Sequence, residues 1–89
     1  MPLPETHVHI AQLENRKGNG STYTEDLYFD DVNNEQQFRV SSYTDYKSGN
    51  SQDRCSTEIV TTEKARSLVS DKPEALAKVD ELVQKYRLN

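Results

Sequence analysis

The chain has 89 residues, a formal net charge of −4, five tyrosines, two phenylalanines and no tryptophan. Leu, Ile, Val and Phe account for 18 of the 89 residues, so we expect a single domain with a small hydrophobic core. The acidic balance argues against wide contact with phosphate backbones, and direct binding of nucleic acid is not expected.

The sequence also argues against a membrane protein or a secreted protein. No apolar run approaches the length of a membrane span, and no charged-then-apolar leader is present. The single cysteine, Cys55, cannot form an intramolecular disulfide, which is typical of a reducing compartment. A cytoplasmic protein is therefore expected.

Alternation of apolar and polar residues predicts the first strand. Residues 6–13 place Val8 and Ile10 on one face and His7 and His9 on the other. An Asn-Gly pair follows, at Asn19, and predicts a hairpin turn. This part of the chain is therefore expected to begin a meander.

Three more strands are predicted, at residues 22–32, 36–46 and 54–61. The connectors between them are rich in Asn, Asp, Ser and Gly, which favour turns. In the third strand Phe38 and Val40 are expected to face the core, with Arg39 and Tyr43 on the opposite face.

The last third of the sequence is helical in character. Residues 62–69 have a helical composition, and residues 71–89 form the clearest helix. Their apolar stripe, with Ala75 at its margin, consists of Leu76, Val79, Leu82, Val83 and Tyr86. Asp71 and Glu74 have the spacing of a capping box, and Pro73 suits a first helical turn.

These elements predict an α+β fold: an antiparallel meander of three or four strands with a C-terminal helical segment packed on one face. One domain is expected over residues 1–89, with a loose N-terminal segment at 1–5, a β-rich part at 6–61 and a helical part at 62–89. The opposite face of the sheet is expected to carry the polar residues His7, His9, Arg39, Tyr43 and Asp45.

Motifs for catalysis or cofactor binding are weak. The His7-x-His9 spacing suits a metal site, but no third histidine exists to complete one. No catalytic signature flanks Cys55. The Asp31-x-Asn33-x-Glu35 pattern begins like a calcium loop and then lacks its glycine and its final glutamate. We therefore predict no enzyme, no cofactor and no metal.

The sequence feature that most favours a function is a group of acidic residues close to several tyrosines. Tyrosine supplies contact area, and carboxylates attract a basic partner. The predicted partner-binding residues are Tyr23, Glu25, Asp26, Tyr28, Asp30, Asp31, Tyr43 and Tyr46. The main hypothesis is thus a small acidic binding protein with a protein partner, for instance an inhibitor of a nucleic-acid-binding or host-defence protein of the type that phages encode.

Two alternatives remain open at the level of sequence. A small-molecule or nucleotide-binding oligomer would need Arg39, Lys47 and Arg54 to converge on an anion. A structural subunit would form a defined oligomer, and the terminal helix offers a stripe through which a homodimer is possible.

Overall fold

The computed structural model describes residues 6–46 and 54–88, which form a four-stranded antiparallel sheet followed by two helices. The elements are β1 (Thr6–Gly18), β2 (Ser21–Val32), β3 (Glu35–Tyr46), β4 (Arg54–Val60), α1 (Thr62–Leu68) and α2 (Pro73–Tyr86). The strands lie in the sheet in chain order. This α+β meander is the predicted fold; the loose segment predicted at 1–5 and the connector at 47–53 lie outside the described residues.

Two-residue turns set the register of the sheet. Gly20 closes the β1–β2 hairpin with φ 91°, and Asn33 and Asn34 close the β2–β3 hairpin with φ 54° and 66°. In the β2–β3 turn both central residues, Asn33 and Asn34, have positive φ, which suits the right-handed twist of the flanking strands. Pairing between β2 and β3 consequently runs without a break along both strands.

The first strand is longer and less regular than predicted. It continues to Gly18, although residues 14–17 show no alternation, because its hairpin with β2 supplies the backbone partners. The register with β2 shifts at Ile10 and again at Leu13, which marks two bulges.

The hydrophobic core lies between the helices and one half of one sheet face. Its largest fully buried side chains are Leu27, Phe29, Phe38, Val69 and Val79. The Phe29 ring lies 5.3 Å from the Phe38 ring and 5.0 Å from the Tyr86 ring, measured between centroids. Toward the β1–β2 turn, the strands extend beyond this cluster.

The apolar stripe of α2 faces the sheet as predicted, but it is rotated by about one position. Ala75, predicted at the margin, is buried together with Val79 and Leu82. Leu76 and Val83 are only partly buried. Among the described residues, neither helix has the length and apolar character needed to cross a membrane.

The predicted capping box at Asp71 is wrong. The helix begins at Pro73, and its N-cap is Lys72, which has an extended backbone and makes no side-chain cap hydrogen bond. A residue before proline is disfavoured in the helical conformation, so Pro73 fixes the cap one residue after Asp71.

The helix α1 has the side-chain cap that α2 lacks. The Thr61 hydroxyl accepts a hydrogen bond from the backbone N–H of Lys64 at 3.1 Å. This role ends β4 at Val60, one residue earlier than predicted.

Replacing Lys72 by serine should stabilise the protein by about 0.5–1 kcal/mol, because serine supplies the missing cap. The matched control, Asp71→Ala, should change the free energy of unfolding by less than about 0.5 kcal/mol. Urea denaturation measures both values. A loss of about 1 kcal/mol in Asp71→Ala would show that the cap is at Asp71 after all.

Candidate functional site: the open face of the sheet

The sheet has one face turned away from both helices, which we call the open face. Strand alternation and register assign to it His7, His9, Asp26, Tyr28, Asp30, Arg39, Tyr43, Asp45, Cys55 and Ile59. One row crosses all four strands, with His9 opposite Tyr28, Tyr28 opposite Arg39, and Arg39 opposite Ile59. The polar face predicted from the sequence is thus confirmed.

A buried carboxylate connects three strands on this face. Asp30 accepts hydrogen bonds from Nε of Arg39 at 2.7 Å and from its second guanidinium nitrogen at 3.2 Å. Nδ1 of His7 donates to the same carboxylate at 2.8 Å. Because Asp30 is on β2, Arg39 on β3 and His7 on β1, the three side chains hold the strands together.

The ionisation of Asp30 follows from these contacts. Burial by itself raises the pKa of the Asp30 carboxyl, but the hydrogen bonds from Arg39 and His7 outweigh it and hold the pKa below its ordinary value. The hydrogen bond to Asp30 in turn raises the pKa of Arg39. The pair is therefore charged at neutral pH.

Tyr28 is held between two side chains of neighbouring strands. The Arg39 guanidinium carbon lies 4.5 Å from the centre of its ring, a cation–π distance. The His9 ring meets it edge-on, with centroids 5.2 Å apart, and Nε2 of His9 donates to Asp26 at 2.8 Å. These contacts fix the orientation of the tyrosine.

Exposed apolar side chains also lie on the open face, beside these polar contacts. Among the described residues, the large apolar side chains that are exposed are Tyr43 and Ile59, at 42% and 56% of their surface. Both belong to the open face, and the exposed Cys55 is directly opposite Tyr43. The open face therefore combines fixed polar groups with apolar contact area along β3 and β4.

The predicted partner-binding residues are divided between the two sheet faces. Four belong to the open face, namely Asp26, Tyr28, Asp30 and Tyr43, and four to the helix-side face, namely Tyr23, Glu25, Asp31 and Tyr46. Successive residues of a strand point in opposite directions, so residues that are close in sequence do not form one surface here. Their role in binding a partner stays a prediction.

The predicted residues on the helix-side face make their own contacts at two separate places along the strands. The Tyr23 hydroxyl donates to Glu25 at 2.7 Å, and this hydrogen bond raises the pKa of Tyr23. Arg16 lies over the Tyr23 ring at 4.9 Å and forms an ion pair with Glu14 at 2.8 Å. Asp31 accepts a hydrogen bond from Gln36.

The residues considered for metal binding and catalysis are dispersed. His7 and His9 each contact a different aspartate, and the described residues contain no group of three or more His, Cys, Asp or Glu placed to hold a metal ion. Cys55 is on one edge strand of the sheet and both histidines are on the other. The Asp31-x-Asn33-x-Glu35 segment is the β2–β3 hairpin turn.

The arginines considered for an anion site do not converge. Arg39 belongs to the open face and is bound to Asp30, whereas Arg54, opposite Thr44, belongs to the helix-side face. Lys47 lies outside the described residues. A groove at the start of α1 is lined by polar side chains, those of Thr61, Thr62, Glu63 and Arg66.

No family model matches the chain, and no significant match is found among curated proteins or solved structures.

Replacing Asp30 by asparagine should lower the free energy of unfolding by about 2 kcal/mol, because the largely buried Arg39 guanidinium loses its carboxylate. The matched control is Asp26→Asn, which should cost less than about 1 kcal/mol since its partner His9 is half exposed. Urea denaturation at neutral pH measures both. Equal costs would contradict the structural role of Asp30.

The pH dependence of the free energy of unfolding gives a second test of Asp30→Asn against the parent. A lowered folded-state pKa means that the unfolded chain binds the proton more readily, so the contribution of Asp30 is present above its ordinary pKa and is lost as the pH falls through the folded pKa. The stability of the parent should therefore fall more steeply below about pH 5 than that of Asp30→Asn.

Proposed function

We propose that this chain is a small acidic, non-enzymatic binding protein that engages another protein through the open face of its sheet. One observation carries the proposal: in the part of the chain that the structure describes, no helix covers this four-stranded face, and its central side chains hold one another in place.

Side chains on the open face already have fixed conformations, which favours binding. Association normally requires side chains at the interface to lose conformational freedom. Tyr28 and Arg39 are already fixed by their mutual contact and by Asp30, so less freedom remains to be lost. Tyrosine and arginine are also enriched among the residues that dominate binding energy at interfaces.

Charge favours a partner with a basic patch. The charge of Asp30 is matched by Arg39. The other carboxylates that the register assigns to this face are those of Asp26, Glu35 and Asp45, and its one further lysine or arginine in the described ranges is Lys17. Carboxylates around a tyrosine-bearing centre direct a basic surface toward it and speed association. The overall charge of −4 acts in the same direction.

The more specific form of the proposal is an inhibitor that covers the working surface of a nucleic-acid-binding or host-defence protein. Such targets carry basic surfaces, and the small size and acidic charge of this chain suit a protein that covers them. The alternative of a nucleotide-binding oligomer has less support because Arg39 and Arg54 belong to opposite faces.

The proposal is tested with two tyrosines of β3 that belong to opposite faces. Tyr43→Ala should weaken capture of a partner from host lysate at least tenfold, because removing an interface tyrosine costs about 2 kcal/mol. Tyr46→Ala is the matched control on the helix-side face and should capture the partner like the parent. Quantitative mass spectrometry of the captured protein reads the result, and circular dichroism shows that each variant is folded.

Two outcomes would overturn this proposal. Loss of the partner with Tyr46→Ala and not with Tyr43→Ala would assign binding to the helix-side group. Failure of the parent to retain any protein would remove the case for a macromolecular partner.

A further inference from the structure

The two edges of the sheet differ in regularity. The edge strand β1 is interrupted by its bulges at Ile10 and Leu13, whereas β4 pairs with β3 without a break from Arg54 to Val60. Bulges protect a sheet edge because they disturb the row of backbone groups that another strand would need. Of the two edges, β4 is therefore the one suited to accept a further strand.

The outer edge of β4 has no pairing strand among residues 6–46 and 54–88. In the part of the chain that the structure describes, β4 is the last strand of the sheet and pairs with β3 on one side. Its residues from Arg54 to Ile59 are all exposed. The backbone N–H and C=O groups on its outer side thus remain available for hydrogen bonds.

The side chains of β4 are complementary to those of a second copy. Arg54 and Glu58 flank Ser56 at equal distances, and all three belong to the helix-side face. If two β4 strands pair antiparallel with Ser56 opposite Ser56, each Arg54 lies opposite Glu58 of the second copy. Neither residue forms an ion pair with another described residue, so both charges are available for this contact.

We propose that the chain forms a two-fold dimer through antiparallel pairing of β4 with β4 of a second copy. The pairing makes one continuous sheet, stabilised by backbone hydrogen bonds and by two symmetric Arg54–Glu58 ion pairs. A register centred on Thr57 would place Glu58 opposite Ser56 and form no ion pair. The charge pattern therefore selects the register centred on Ser56.

This arrangement leaves the proposed binding surface accessible. Residues that face each other in the Ser56-centred register belong to the same sheet face, so both copies turn their open faces to one side. The dimer would then offer two adjacent open faces to a partner. The inference does not depend on the proposed function, because the β4 edge and the open face are different surfaces.

Charge reversal tests the ion pairs. Either Arg54→Glu or Glu58→Arg alone places like charges opposite each other and should raise the dissociation constant of the dimer roughly tenfold. The double variant restores opposite charges and should recover the parent value. Sedimentation equilibrium over a range of concentrations measures all four proteins.

The single cysteine tests the register. Cys55 would be opposite Thr57 of the second copy and diagonal to Cys55 of that copy, at roughly 7–8 Å. A short reagent that joins two thiols should therefore link the parent into a covalent dimer. It should do so much less in either single charge variant, and not at all in Cys55→Ser, which should still dimerise.

The inference is overturned if the parent is a monomer at every concentration. It is also overturned if the parent dimerises but the single charge reversals leave the dissociation constant unchanged, or if the double variant fails to recover while remaining folded by circular dichroism. Tyr43→Ala should leave dimerisation intact, so a failure of this inference is distinguishable from a failure of the proposed function.

Discussion

Two adjacent residues of β2, Phe29 and Asp30, stabilise the structure on opposite faces of the sheet. The buried Asp30 carboxylate binds Arg39 and His7 and so connects three strands on the open face. Its neighbour Phe29 points the other way and packs against Phe38 and against Tyr86 of α2. Removing the first contact leaves a largely buried guanidinium without its carboxylate, and truncating Phe29 leaves a cavity between α2 and the sheet.

The small apolar content explains why polar contacts have this role. With few Leu, Ile, Val and Phe residues, the two helices cover one half of one sheet face. On the opposite face, ion pairs across strands and the contacts of Tyr28 with Arg39 and His9 add to the stability that backbone pairing provides. A sheet built this way presents a large, ordered and partly apolar face, which is the basis of the proposed function.

The fold could be predicted from local patterns, and the site only in part. Alternation identified the strands and their faces, because a half-buried strand must alternate, and spacing identified α2. The cap at Lys72 was missed because Pro73 overrides the favourable side chain of Asp71. The division of the acidic group was also missed, although a two-residue turn at Asn33 and Asn34 would have fixed the register and brought Asp30 near Arg39. The bulges in β1 have no clear sequence signal.

Footprinting with hydroxyl radicals in host lysate shows directly whether the open face is the surface that contacts the partner. Tyrosines on each face serve as probes of the same chemistry. If the open face is the contact surface, we expect Tyr43 and Tyr28 to become protected from oxidation in lysate relative to buffer, while Tyr46 and Tyr86 keep their oxidation rates. Protection of Tyr46 and Tyr86 with unchanged oxidation of Tyr43 and Tyr28 would contradict it.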